Sequence, residues 1–502
     1  MTMGENNFSA DRILHLIRTK KADFWERQRE KTALSLFHRA AVRVPAYKDF
    51  LKKNKVNPNK IKNFKDFQLV PPVDKKNYLR KYPLEKLVWD GSLNKAIVFT
   101  STSGSTGNSL YFPRGEELDI NTSIPHELFL ENSSHGIKGP TLIIIGFGMG
   151  VWIGGLITYK AFEIMSRREK YNLSILTTGI NKAEIFRALE NLSPNYEQTI
   201  LCGYPPFIKD ILDEGVERGI NFKKYNIRLL FAAELFTEKF REYVAEKAGV
   251  RNLCLDTINI YGTAELGANA FETPLSILVR RFAIKNNELF KAIFPSVLKT
   301  PTLAQYNPFS VTYEAHDGEL FLTGNNTIPF IRYAVGDHGG IFEYSDIVSL
   351  LKQHGISLLY EAKKAGIEKR LYQLPFVYVY ERKDFSTTLY GLQIYPETIK
   401  DVLLEDPVHK SVTGKFTMQT KFDRRHNQYL ELNIELKKDK KADKKLKKDI
   451  LMRIITHLRI SNSEYRELSD FLKKRAHPKL IFWPNGHRLH FHQGTKQKWV
   501  KK

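Results

Sequence analysis

The sequence predicts an α/β protein: a large N-terminal domain with mixed and parallel sheets, followed by a smaller α+β domain. Three observations lead there. At 502 residues the chain is longer than one ordinary core serves, so a large and a small unit are expected. Beyond Lys95, short apolar runs at 96–100, 141–146, 173–176, 199–201, 227–232 and 257–261 alternate with amphipathic stretches, the pattern of parallel strands joined by crossover helices. After Asp337 the character shifts to a lysine-rich mixture of strand and helix.

Each element has a local reason. From Ala10 to Lys55 apolar residues recur at helical spacing up to Val44-Pro45, which predicts two helices packed on the main body, because proline restricts the residue before it. Asn57-Pro58 and Pro71-Pro72 then mark turns. Residues 181–191 read as a helix capped by Asn181, and 237–248 as one capped by Thr237, with Phe240 rather than Glu at the third position. Between Asp337 and Arg382 lies an insertion expected to be helical over 346–365. From Leu436 to Asp449 eight lysines face three aspartates, the composition of a solvated surface.

Composition fits a folded protein, with 42% hydrophobic, 12% aromatic and 26% charged residues. The 78 Lys and Arg against 55 Asp and Glu give +23, a field that attracts anions such as nucleotides, coenzyme A, an acidic carrier protein, nucleic acid or lipid headgroups. The two cysteines, Cys202 and Cys254, lie in apolar flanks without a CxxC, which argues against a disulfide framework or a cysteine zinc site. The N-terminus lacks an apolar h-region and a cleavage site. Residues 141–165 carry Lys160, Glu163 and five glycines, unlike a lipid-facing span. Cytoplasm is the expected location.

Three motifs carry chemistry. Phe99-Thr-Ser-Thr-Ser-Gly-Ser-Thr-Gly-Asn108 joins a strand-like run to glycines and hydroxyls, a composition that can cradle a polyphosphate through backbone N–H and hydroxyl donors. It is not a Walker A loop, since no lysine follows Gly107, and alone such a loop is more often a plain connection. Asn259-Ile-Tyr-Gly-Thr-Ala-Glu-Leu-Gly267 ends an apolar strand in an aromatic, a glycine and a carboxylate; Tyr261 can flank a base, and Glu265 can hold Mg²⁺ on phosphates. Pro329-Phe-Ile-Arg-Tyr-Ala-Val-Gly-Asp337 follows Gly318-Glu-Leu-Phe-Leu-Thr-Gly324. Its aspartate can accept both hydrogens of a ribose diol, or simply form a turn.

In this order, and continued by Glu381-Arg-Lys-Asp384 and Tyr390-Gly-Leu-Gln-Ile-Tyr-Pro-Glu397, these blocks resemble the adenylate-forming superfamily, most nearly its phenylacetate–coenzyme A ligase branch. Val44-Pro-Ala-Tyr47, the glycine-rich 147–161, Thr177-Thr-Gly179, Gly203-Tyr-Pro-Pro206 and Ala233-Glu234 extend the resemblance over nearly the whole chain. It implies an adenylation domain at 1–382, helical over 1–95, and a mobile C-terminal domain at 383–502.

The resemblance also implies roles. Thr102, Ser103, Gly104, Ser105, Thr106 and Gly107 would form the phosphate loop, Thr106 acting in catalysis. Ala233 and Glu234 would line the adenine pocket beside Tyr261, with Gly262, Thr263 and Glu265 on nucleotide and metal. Asp337 would bind ribose, Arg382 would add positive charge, and Asp384 would be the hinge. In Gly494-Thr-Lys-Gln-Lys498 the catalytic lysine would be Lys496, with Lys498 the other candidate because Thr495 shifts the register.

The cofactors implied are ATP, Mg²⁺ and coenzyme A or a phosphopantetheine thiol. The pattern departs from the family at three places: Ala264 stands before Glu265 where a hydroxyl is usual, Ala334-Val335 interrupts the arginine-rich block, and Glu381 replaces a glycine.

The activity implied is carboxylic acid activation through an acyl-adenylate, then transfer to a thiol. The segments expected to line the acid pocket, 147–155, 203–207 and 232–235, are aromatic and apolar, which favours an aryl or fatty acid. The alternatives are transfer to an amine or to an acidic acyl carrier protein, and, in another class, nucleic-acid binding. For the last no RNP, KH, helix-turn-helix or zinc-finger pattern is present, so no nucleic acid is expected as a partner.

Overall fold

The computed structural model describes residues 9–94, 98–101, 110–150, 153–295, 297, 300–382, 387–487, 491 and 500, with the backbone alone at 381, 382 and 397. Its strands, in chain order, are β1 Val98–Ser101, β2 Tyr111–Arg114, β3 Thr141–Gly146, β4 Leu173–Leu176, β5 Gln198–Gly203, β6 Ile227–Ala232, β7 Thr257–Thr263, β8 Gly267–Phe271 and β9 Thr302–Tyr306. They continue with β10 Val311–His316, β11 Glu319–Gly324, β12 Phe330–Phe342, β13 Phe376–Arg382, β14 Thr387–Leu389, β15 Leu392–Ile394, β16 Val412–Phe422, β17 Gln428–Leu436 and β18 Lys479–Trp483.

An 11-stranded sheet, ordered β10-β11-β12-β13-β9-β8-β7-β6-β5-β3-β4, forms the large lobe. From β4 through β7 neighbouring strands are parallel; from β7 to β10 every pairing is antiparallel. The parallel half follows from the long apolar strands, each returned by a helix such as Lys182–Asn191 or Glu238–Ala248. Asn181 and Thr237 cap these two helices by accepting from Glu184 N and Phe240 N.

The chain order along this half contains a reversal. β3 leads outward to β4, and the chain then crosses back to β5 on the other side of β3. Crevices at such reversals, beyond the carboxyl ends of the strands, are where open α/β sheets bind ligands. Gly146 and Gly203 stand opposite each other in register there.

The N-terminal segment differs from expectation. It makes three helices, Ala10–Thr19, Ala22–Arg43 and Pro45–Lys53: the second ends at Val44-Pro45 as expected, and Pro45 then occupies the first turn of a new helix. The insertion is likewise two helices, Tyr344–Gln353 and Leu358–Lys364, parted at Gly355, whose φ is +74°.

After β13 the chain builds a small lobe: the β14–β15 hairpin, a sheet of antiparallel β16 and β17 with β18 parallel to β17, and helices Pro396–Leu404, Lys444–Ser461 and Ser463–Leu472. One apolar cluster runs from Ile208, Ile211 and Phe240 of the large lobe to Leu389, Leu392 and Phe416 of the small one. Among the described residues no helix is long and apolar enough to cross a membrane. Cys202 and Cys254 are free and buried, and burial pushes the Cys254 thiol up to about 11, which keeps it protonated and inert.

Candidate active site

The carboxyl edge of the parallel strands is where the chemical side chains converge. Phe147, just past β3, and Tyr204, just past β5, meet edge to face with ring centroids 5.1 Å apart. They wall the crevice at the strand-order reversal. One strand further on, β6 ends at Ala232 and turns through Ala233, whose φ of +72° is a left-handed conformation uncommon outside glycine. That turn presents Glu234 beside β7.

Tyr261, at the end of β7, donates its hydroxyl hydrogen to Asp337 Oδ2 on β12. The sheet order places β8, β9 and β13 between these two strands, so the bond spans the sheet's curved edge and brings together two residues 76 apart in sequence. Gly262 lies in the turn because a Cβ there would sit 2.7 Å from the Gly267 carbonyl oxygen. Thr263 Oγ1 accepts from Leu266 N at 3.2 Å and from Asn269 Nδ2 at 3.1 Å, fixing the turn that carries Glu265.

Glu265 is buried. Its Oε1 accepts from Tyr333 Oη at 2.8 Å and lies 3.4 Å from Lys75 Nζ. A buried hard oxygen that already draws one cation has the donor chemistry for Mg²⁺.

Sequence reasoning missed the groups that hold this edge in place. Arg332, at φ +47°, directs its guanidinium to both Glu314 oxygens at 3.2 and 3.0 Å, to the Val70 carbonyl and to His316 Nε2 at 3.0 Å. It thereby clamps the N-terminal segment to β12 and sets Tyr333 toward Glu265. Asn259 donates to the Glu234 carbonyl at 3.1 Å, and its own N–H donates to Glu272 Oε2 at 2.8 Å. Glu272 in turn belongs to a fully buried network with Arg241, Arg280 and Glu238. Spacing within one segment carries no signal of such long-range pairs.

The Glu234 carboxylate faces the small lobe. It accepts from the Gly391 amide and, at 2.9 Å, from Gln428 Nε2, while burial pushes its carboxyl up to about 7 against these two bonds. Thus Ala233 and Glu234 follow Ala232, which pairs with Ile260, the Glu234 backbone is held by Asn259, and its acidic group joins the two lobes. The expected phosphate loop, Thr102 to Gly107, lies outside the described residues, as do Asp384, Lys496 and Lys498 and the side chain of Arg382.

No protein-family model matches the sequence, and no curated protein matches it. Solved structures do. A 2-hydroxyisobutyryl-CoA ligase, in complex with 2-HIB-AMP and CoA in the thioesterification state, superposes with a TM-score of 0.63 over 96% of this chain and 90% of its own, at 14% identity. This chain shares that ligase's fold. The same ligase in its postadenylation state with 2-HIB-AMP gives 0.52, over 96% of this chain and 89% of that one, again at 14% identity. Its open conformation gives 0.50 at 15% identity, over 100% and 96%. The superposition extends over both lobes of this chain.

Proposed function

We propose that this protein activates a carboxylic acid with ATP to an acyl-adenylate and passes the acyl group to a thiol, in the manner of phenylacetate–coenzyme A ligases. The observation that carries the reading is the Tyr261–Asp337 pair at the carboxyl edge of the sheet, an aromatic ring and a carboxylate set as a base-and-ribose site requires. The fold supports it, since the matching ligase was captured with 2-HIB-AMP and CoA.

In the first step a carboxylate oxygen bonds to the α-phosphorus of ATP, and the bond to pyrophosphate breaks. Tyr261 and the Ala233–Glu234 backbone flank the base, Asp337 accepts from the ribose hydroxyls, and Gly262 and Thr263 shape the turn beneath them. Glu265 would hold Mg²⁺, which supplies charge neutralisation to the phosphate oxygens when bound. From the sequence motifs, Thr102, Ser103, Gly104, Ser105, Thr106 and Gly107 donate to the phosphates, Arg382 adds positive charge, and Lys496, or Lys498 in the other register, stabilises the charge developing at the α-phosphate.

In the second step the thiol sulfur bonds to the acyl carbon, AMP leaves, and the thiol proton passes to solvent. Rotation of the small lobe about Asp384 lets one pocket serve both steps. The Phe147–Tyr204 wall favours an aryl or fatty acyl group. Coenzyme A is the acceptor in this reading. A phosphopantetheine thiol on an acidic carrier protein is the second reading, favoured by the eight exposed lysines between Lys437 and Lys448 on the small lobe.

Incubation with ATP, an acid panel, and either coenzyme A or a phosphopantetheinylated carrier tests both readings. AMP release with thioester detected by mass spectrometry is the expected result. Acid-independent release of ADP and phosphate would overturn the proposal.

A further inference from the structure

Among the described residues, Lys209 Nζ donates across the lobes to Asn427 Oδ1 at 3.0 Å and Arg475 to Asp210, while two further bonds from the small lobe land on one carboxylate. Glu234 sits at the end of β6, on the strained turn at Ala233, with its backbone carbonyl held by Asn259. The Gly391 amide and Gln428 Nε2, both on the small lobe, donate to its carboxylate. Gln428 is committed at its other end as well, since its Oε1 accepts from the Tyr390 amide at 2.5 Å. One carboxylate and one amide side chain thus satisfy two successive backbone N–H groups of the Tyr390–Gly391 turn.

That turn lies over the crevice. Gly391, at φ +84°, packs against the Tyr204 ring so closely that a Cβ has no room. Only glycine meets both demands, a left-handed conformation and close approach to the ring. A second tie, Arg475 Nη2 to Asp210 Oδ1 at 2.6 Å and to Tyr390 Oη at 3.2 Å, braces the same turn from its far side.

We propose that Glu234 is the latch that fixes the Tyr390–Gly391 turn over the crevice between β3 and β5, and so holds the small lobe in the arrangement that hands the acyl group to the thiol. The role in transfer rests on the function proposed above; the latch itself rests on contacts alone. Two facts tie it to the second step. The bonds from Gly391 and Gln428 exist only while the lobes are docked this way, and the TM-score is higher against the thioesterification state, at 0.63, than against the postadenylation state, at 0.52. Glu234 is therefore a positioning residue, which sets the lobe and the turn without touching the reacting atoms through its carboxylate.

The test uses the full chain with spin labels at Glu190→Cys on the large lobe and Lys445→Cys on the small one, both exposed, the two native cysteines being buried. Double electron–electron resonance should give a narrow distance distribution for the parent protein, and a broad one for Glu234→Ala. Gln428→Ala, made from the other lobe, should broaden it likewise, and the double variant should add nothing further. In kinetics, Gln428→Ala should leave acid-dependent pyrophosphate exchange unchanged and slow thioester formation from supplied acyl-adenylate about ten-fold or more, the effect of losing a hydrogen bond to a charged group. Glu234→Gln, which retains one acceptor for the Gly391 amide, should fall between the parent and Glu234→Ala. An unbroadened distribution in Glu234→Ala overturns the latch, as does equal slowing of exchange and thioester formation in Gln428→Ala. Broadened distances in a protein that exchanges no pyrophosphate with any acid would support the latch and remove the functional reading instead.

Discussion

The hydroxyl of Tyr261 donates to the carboxylate of Asp337, linking the end of the parallel half of the sheet to the antiparallel strand β12. In the function proposed above, the base of ATP lies against the ring and the sugar hydroxyls donate to the carboxylate. Asp337→Ala removes the acceptor. Losing hydrogen bonds to a charged group, worth about 1.5–3 kcal/mol each, should weaken ATP binding roughly ten-fold or more. Calorimetric titration checks it, and an unchanged affinity would take Asp337 out of the site.

Glu265 is held by Tyr333 and lies close to Lys75. Glu265→Gln keeps its shape and removes its charge. If Glu265 is the metal carboxylate, the variant should need more Mg²⁺ for half-maximal adenylation and lose roughly 10²–10³ in rate, the scale of one preorganised charge-stabilising group. Rates measured across a Mg²⁺ series decide it; an unaltered dependence would assign Glu265 to holding Tyr333 alone.

Glu272 is the carboxylate on which the buried network turns, bonded to Arg241 at 2.6 Å and to the Asn259 amide at 2.8 Å. Glu272→Ala leaves two buried guanidiniums, Arg241 and Arg280, sharing Glu238. Removing one partner of a buried ion pair costs about 3–5 kcal/mol. Thermal unfolding should show a lower Tm than Glu288→Ala, an exposed control.

Closure of the lobes should depend on pH. Burial pushes Glu234 up to about 7, opposed by the Gly391 and Gln428 bonds; Glu464, on the helix Ser463–Leu472, is pushed up to about 7 by burial and then by Glu467. Burial raises the Tyr204 hydroxyl, and Glu464, Glu467 and Glu234 add to that rise. A carboxyl raised in the docked state takes up a proton on docking, so this contribution is complete below the ordinary value of 4.5 and is lost as pH rises through about 7. The docked fraction measured by the spin labels should therefore fall between those limits, and fall less in Glu234→Gln.

The apolar strands were legible because burial on both faces leaves continuous runs: β3 and β6 begin and end where those runs do, and so does the half-buried edge strand β4. Asn181 and Thr237 were legible as caps because capping is local. The end at Val44-Pro45 was legible, but not the further helix that Pro45 opens, because proline also suits the first turn of a helix. The insertion was read as one helix because apolar spacing continues across Gly355, where the backbone turns left-handed. Tyr261, Asp337 and Glu265 stood out by motif, but the pairings they make did not. Glu234 meets Gly391 across 157 residues, and Tyr333 meets Glu265 across 68, separations that no periodicity within a segment reveals.

The reaction proposed for this chain begins by joining AMP to a carboxylic acid. Exchange of labelled pyrophosphate into ATP measures that step alone, without any thiol. Exchange is expected to depend on an added aryl or fatty acid, to require Mg²⁺ and to be abolished in Lys496→Ala or, in the other register, Lys498→Ala. Absence of exchange across a full panel of acids, with ATP bound and the protein folded, would contradict it.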